Sequence, residues 1–257
     1  MDMTFRALLL CFGLLVPQTA SAACVVLLHG LARSDASFTV MEAVLRGLGH
    51  AVVSPTYPST EATVEELAAQ IVPAALGACA PRKAHVVSHS MGGILVRAQA
   101  AVAPLENLGR VVMLAPPNQG SELVDALGDW AIFQWVNGPA GRQLGTGPDS
   151  LPNRLGPVGF ETGVIAGTSS WNPLFSQLLP GPDDGKVTVA RTKVAGMADH
   201  IILPVSHTLM MNDPKVIAQT VHFLENGRFA PEMNYAEAVQ RLFNASELST
   251  RLEALGE

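Results

Sequence analysis

With 257 residues, 48% of them apolar and 15% charged, the chain has material for one large core and too little charge to stay disordered. Its 16 Lys and Arg against 22 Asp and Glu leave a net charge of −6, which excludes a general basic field for gripping phosphate backbones. The 23 Gly and 18 Pro follow no period, so collagen-like and solenoid architectures are excluded as well.

Residues 1–22 read as a secretory signal peptide. Arg6 precedes an apolar run, ALLLCFGLLV at Ala7–Val16, and the small residues Ala20, Ser21 and Ala22 supply the cleavage pattern. A spanning helix needs roughly 20 apolar residues, more than this run holds. Cys24 lacks the aliphatic residue that a lipidation motif places three positions earlier, since Ser21 stands there. The expected mature domain is 23–257, exported to a periplasmic or extracellular space. Cys11 leaves with the signal, and Cys24 and Cys79 remain as an even pair in an oxidising compartment. Each opens an apolar, strand-like stretch, and parallel neighbouring strands would bring the two within disulfide reach. Two Cys without a His at ligand spacing make a poor metal site, and no metal is expected.

Apolar and helical stretches then alternate. Strands are expected at Val25–Leu28, Ala51–Ser54, Ala84–Ser88, Arg110–Ala115, Gly163–Gly167 and Ile201–Val205. Helices are expected at Phe38–Gly47, from Thr63 as N-cap to about Ala78, at Ile94–Val102 and from about Asp213 to Asn226. That alternation predicts an α/β fold with a mostly parallel, doubly wound sheet and helices on both faces. The region 116–160 breaks the rhythm. It is rich in Gly and Pro and is read as a lid-like insertion, with Trp130, Phe133 and Trp135 as candidates to line an acyl groove. A helical tail is expected over 228–257, at Tyr235–Leu242 and Ser246–Leu255.

The chemistry concentrates at Val86-Val87-Ser88-His89-Ser90-Met91-Gly92-Gly93, where a strand runs directly into a helix. A tight strand-to-helix turn needs small neighbours and exposes the Ser90 hydroxyl beside the positive end of the helix. Ser88 stands where this nucleophile-elbow pattern usually has Gly. A nucleophilic serine needs a base and an orienting carboxylate. Of seven His, His29 and His89 belong to the loops around the elbow, His50, His85 and His200 sit at strand entrances, and His222 lies on the last helix. Sites in parallel sheets form at the carboxyl ends of strands, so His207, directly after the last strand, is the candidate base. Asp184 in GPDDGKVTV is the candidate acid, with Asp183 its competitor and Asp199 at a strand entrance. The order Ser90, Asp184, His207 is that of the α/β hydrolases.

These pieces, LLHGLARS, SHSMGG, LAPPNQGSE, IAGTSSWNPL, DDGKVTV and PVSHTLMM, span residues 25–212. Together they make the chain resemble α/β-hydrolases of the bacterial lipase and esterase type, with similarity to lipase-like proteins related to inositol deacylases. The resemblance implies an oxyanion hole from the backbone N–H groups of Leu31 and Met91, and cleavage of carboxylic esters through an acyl-enzyme on Ser90. It implies no cofactor, a small-molecule or lipid ester as substrate, and transient contact with lipid surfaces. Some related lipases hold a structural calcium, for which no element here commits. Acyl transfer, thioester cleavage and a non-catalytic binding scaffold are the competing readings, and oligomeric state is open.

Overall fold

The computed structural model describes residues 23–244; the signal-peptide segment 1–22 and the helix expected at Ser246–Leu255 lie outside the described residues. Six strands form one sheet, β1 (Cys24–Leu28), β2 (Ala51–Val53), β3 (Ala84–His89), β4 (Leu108–Leu114), β5 (Thr162–Gly167) and β6 (Asp199–Leu203). Every pairing is parallel and the order is β2-β1-β3-β4-β5-β6. Around it run α1 (Thr39–Gly47), α2 (Val64–Gly77), α3 (Met91–Val102), α4 (Glu122–Leu127), α5 (Ala131–Arg142), α6 (Leu151–Arg154), α7 (Pro173–Ser176), α8 (Val189–Thr192) and α9 (Pro214–Asn226). Residues 235–244 are helical.

The two faces of the sheet follow from the period of two along each strand. Cys24, Val26 and Leu28 pack with Val86, Val111 and Met113 under α2 and α3. Val25 and Leu27 pack with Val87, Val112 and Leu114 against α1 and α9. Apolar runs buried on both faces are what a parallel, doubly covered sheet requires. Thr63 caps α2 in a full capping box with Glu66, and Asp213 caps α9, which closes at left-handed Gly227 (φ 71°).

Most element ends shift by a residue or two from expectation, and those of β6 and α3 bear on the site. Strand β6 begins at Asp199, because Asp199 and His200 pair with Gly163 and Val164 of β5, so both lie within the strand. It ends at Leu203, short of Val205. Helix α3 begins at Met91 rather than Ile94, taking in Gly92 and Gly93 despite their poor helix propensity. A Cβ on Gly92 would run into the Leu28 carbonyl oxygen, so close packing of helix on strand demands glycine there.

The expected disulfide joins Cys24 to Cys79, with Cα atoms 5.6 Å apart. Its geometric basis is not the one expected. Cys79 sits in the turn after α2, not on β3, and the bond ties that helix layer to the first residue of β1. The bridged residues are separated by 55 positions, and closing a loop of that size stabilises by about 4 kcal/mol. Reduction is therefore expected to lower the Tm by roughly 8–16 °C in scanning calorimetry. An unchanged Tm with two titratable thiols would overturn this.

Between β4 and β5 the insertion forms α4, α5 and α6, with α5 broken at Gly138. Gly138 (φ 61°) leaves no room for a Cβ against the Thr60 carbonyl, so the chain is pinned there. Buried Arg97 of α3 adds a second anchor, donating to the carbonyls of Asn118 (2.8 Å), Pro152 (3.0 Å) and Gly156 (2.8 Å).

Candidate active site

Strand β1 is hydrogen-bonded to β2 on one side and β3 on the other, so the chain reverses its direction of spread there. Such a switch point opens a crevice beyond the carboxyl ends of β1 and β3. Leu31 follows β1 and Ser90 follows β3, and both line one cleft of about 240 Å³ with His89 and His207. A cavity of about 360 Å³ beside Arg97 shares none of these residues.

Ser90 has φ 52° and ψ −123°, a left-handed-side φ that a non-glycine residue takes only where its surroundings enforce it. Its N–H donates to Leu114 O at 2.8 Å, which fixes the turn between β3 and α3. Met91 is the first residue of α3, so its N–H has no partner within the helix and lies at the positive end of the dipole. The Met91 side chain is fully buried in the core.

His207 and Asp184 are brought together. His207 Nδ1 donates to Asp184 Oδ2 at 2.8 Å, with both side chains almost wholly buried. Asp184 Oδ1 accepts from the N–H groups of Lys186 (3.0 Å) and Val187 (2.8 Å), and the Asp184 carbonyl accepts from His207 N at 3.0 Å. Asp183 turns elsewhere, accepting from Ser176 Oγ (2.9 Å) and Gly185 N (2.7 Å). Adjacent residues in this turn thus serve two unrelated networks, and only Asp184 meets the imidazole.

His89 has a role that the spacing of His residues did not reveal. Its Nε2 donates to the His207 carbonyl at 2.9 Å, and its ring lies 4.7 Å from the His207 ring. Burial, the largest cause, holds the His89 ring well below the ordinary imidazole range, and the nearby cations Arg33 and Lys186 act in the same direction. Its position beside a serine in an elbow was legible, but its partner 118 residues away was not.

The loop after β1 is equally fixed. His29 stacks on Tyr57 with ring centroids 3.7 Å apart, donates from Nδ1 to Gly30 O (2.9 Å) and accepts at Nε2 from Tyr57 N (3.4 Å). The buried Tyr57 hydroxyl donates to the His29 carbonyl, and Ala32 N donates to Ser59 Oγ at 3.0 Å. A Cβ on Gly30 would stand 3.0 Å from Ser90 Cβ, so glycine lets this loop pass next to the serine.

The apolar wall of the cleft comes from Leu123, Val124, Leu127, Val136 and Leu144 of the insertion. Trp130 and Trp135 do not line it, a correction to the expected acyl groove; they are 61% and 82% exposed. Successive helical residues point about 100° apart, so the face of α5 that turns Val136 to the cleft turns Trp135 away. The side chain of Phe133 lies outside what the structure describes. Among the described residues no group of three or more His, Cys, Asp or Glu is placed to hold a metal ion.

A parallel sheet whose switch-point crevice holds a serine in a strand-to-helix elbow defines an α/β-hydrolase fold. The sequence agrees: the profile of the Alpha/beta hydrolase family matches residues 25–241, and the chain belongs to that family. By structure it is similar to the mature form of the Bacillus licheniformis lipase BlEst2, with 18% identity and a TM-score of 0.66, covering 80% of this chain and 93% of that one. It is also similar to phospholipase PlaB from Legionella pneumophila (17%, TM-score 0.67, covering 90% of this chain and 65% of that one). Aspergillus fumigatus lipase B shares the architecture at 14% identity and TM-score 0.65, covering 88% of this chain and 61% of that one. The chain thus spans less than two thirds of the latter two, and at these identities the likeness is one of fold. No curated protein matches the chain.

Proposed function

We propose that the protein is a serine carboxylic-ester hydrolase in which Ser90 is the nucleophile, His207 the base and Asp184 the orienting acid. The observation that carries the reading is the 2.8 Å contact from His207 Nδ1 to Asp184 in a cleft that His207 shares with the elbow serine. With Nδ1–H held by Asp184, the free Nε2 is the acceptor for the Ser90 proton. Ser90 attacks the ester carbonyl, and the N–H groups of Leu31 and Met91 stabilise the oxyanion. Losing one such donor costs about 10²–10³ in rate. Collapse expels the alcohol, protonated by His207, and leaves an acyl-enzyme. Water deprotonated by His207 then attacks, and the acid leaves as Ser90 regains its proton.

The apolar wall of the insertion suits an acyl chain. Exposed Trp130, Ile132 and Trp135 on the insertion, with exposed Trp171 and Leu174 from the loop and helix around α7, suit transient contact with a lipid surface. The disulfide supports export, with 23–257 as the mature domain and 116–160 as a cap held at Gly138. The test is hydrolysis of p-nitrophenyl esters with acyl chains from two to sixteen carbons by the mature protein. Turnover is expected, with the preferred chain length separating esterase from lipase. No turnover at any length by folded protein, together with no labelling of Ser90 by a fluorophosphonate, would overturn the reading.

A further inference from the structure

Two cations line the same cleft, and neither is in a salt bridge among the described residues. Arg33 comes from the loop after β1 and Lys186 from the loop between α7 and α8, and both border the space shared by Ser90 and His207. Lys186 also borders a neighbouring cavity of about 290 Å³, where Trp171, Thr208 and His207 form part of the wall. The carboxylate that acts on Lys186 is Asp184, and its oxygens are already taken by His207 and two backbone N–H groups.

The charge of Arg33 acts unfavourably on the Lys186 ammonium, and both residues are open to solvent. Burial, and then the charge of Arg33, hold the Lys186 amine below its ordinary range, although the side chain still reaches solvent. Arg33 is half-buried and its guanidinium is likewise lowered by burial. The chain carries a net charge of −6, yet among the described residues no carboxylate forms a salt bridge with either cation. Hydrolysis of a neutral ester uses neither of them. An anion between them would relieve their repulsion and gain charge-assisted hydrogen bonds, bidentate from the Arg33 fork and point-like from Lys186.

We propose that Arg33 and Lys186 form a subsite for an anionic group, phosphate or carboxylate, carried a few atoms from the scissile carbonyl, so that the enzyme prefers acidic acyl esters to neutral ones. The inference rests on the ester-hydrolase reading above and adds the substrate class. The anion is either the headgroup phosphate of a lipid or the charge of a soluble acyl ester, and the two sources separate experimentally.

The test compares 1-hexanoyl-glycerol with 1-hexanoyl-glycerol 3-phosphate, both as monomers in solution, with the mature protein. The phosphate ester is expected to be favoured in kcat/KM by about 10- to 100-fold, mostly through KM, and the preference should shrink with added salt. In Arg33→Gln and Lys186→Gln the ratio should fall in steps, and in Lys186→Glu it should invert, with each variant's Tm read alongside to exclude misfolding. A second arm uses phosphatidylcholine vesicles with or without phosphatidate. Preference for phosphate in monomers and in vesicles assigns the anion to a lipid headgroup, and preference in monomers alone to a soluble ester. Preference in vesicles alone means surface attraction and overturns the subsite. Wild-type turnover of both monomers at equal efficiency also overturns it while leaving the ester-hydrolase reading intact, whereas turnover of neither overturns both.

Discussion

Ser90→Ala is expected to remove ester hydrolysis, with kcat falling by about a million-fold, toward the residue that oxyanion donors and binding alone supply. The change deletes one oxygen. The elbow is held by the Ser90 N–H bond to Leu114 O and by Gly92 against Leu28, neither of which uses the hydroxyl. The Tm of the variant should therefore match that of the parent, and the loss should appear in kcat rather than KM. Covalent labelling by a fluorophosphonate, read by mass spectrometry, should vanish with it. Activity retained within tenfold would remove Ser90 from the mechanism.

Asp184→Asn should be nearly as damaging, by about ten-thousand-fold in kcat, for a reason visible in its hydrogen bonds. Oδ1 accepts from Lys186 N and Val187 N, both obligate donors. In an asparagine the amide oxygen must stay there, which turns the NH₂ group toward His207 Nδ1 in place of Oδ2. Nδ1 then has to accept, the proton moves to Nε2, and the nitrogen facing the serine can no longer take its proton. Asp183→Asn is the contrast. Its Oδ1, which accepts from Ser176 and Gly185, survives as the amide oxygen, so turnover should stay within a few-fold of the parent. Equal losses in the two variants would place the acid elsewhere.

Some of this was written in short stretches of chain. Apolar runs such as Val25–Leu28 and Val86–Val87 are strands because their residues meet a helix layer on either face, and period and composition suffice to say so. Thr63 with Glu66, and Asp213 with the N–H groups of Lys215 and Val216, close their own helix starts through bonds reaching three residues or fewer. Ser90 with its glycines is local for the same reason: the strand, the turn and the helix are consecutive. The pairing of Cys24 with Cys79 was legible from counting, since no third cysteine remains in 23–257.

Other features depend on direction in space, which spacing along the chain does not encode. Asp183 and Asp184 are neighbours of the same chemistry, and only the turn around Gly185 (φ 95°) decides which carboxylate meets His207. Trp130 and Trp135 belong to the right insertion, but the orientation of α5 on its anchors turns Val136 inward instead. His89 has a partner 118 residues away, and Cys79 reaches β1 from a helix end rather than a strand. Sequence by itself determined the sheet, the elbow and the residue types of the candidate site, because those follow from hydrophobic period and consecutive geometry. The tertiary structure alone decided which side chains come together at the cleft, Arg33 and Lys186 among them, because the packing of distant segments sets those positions.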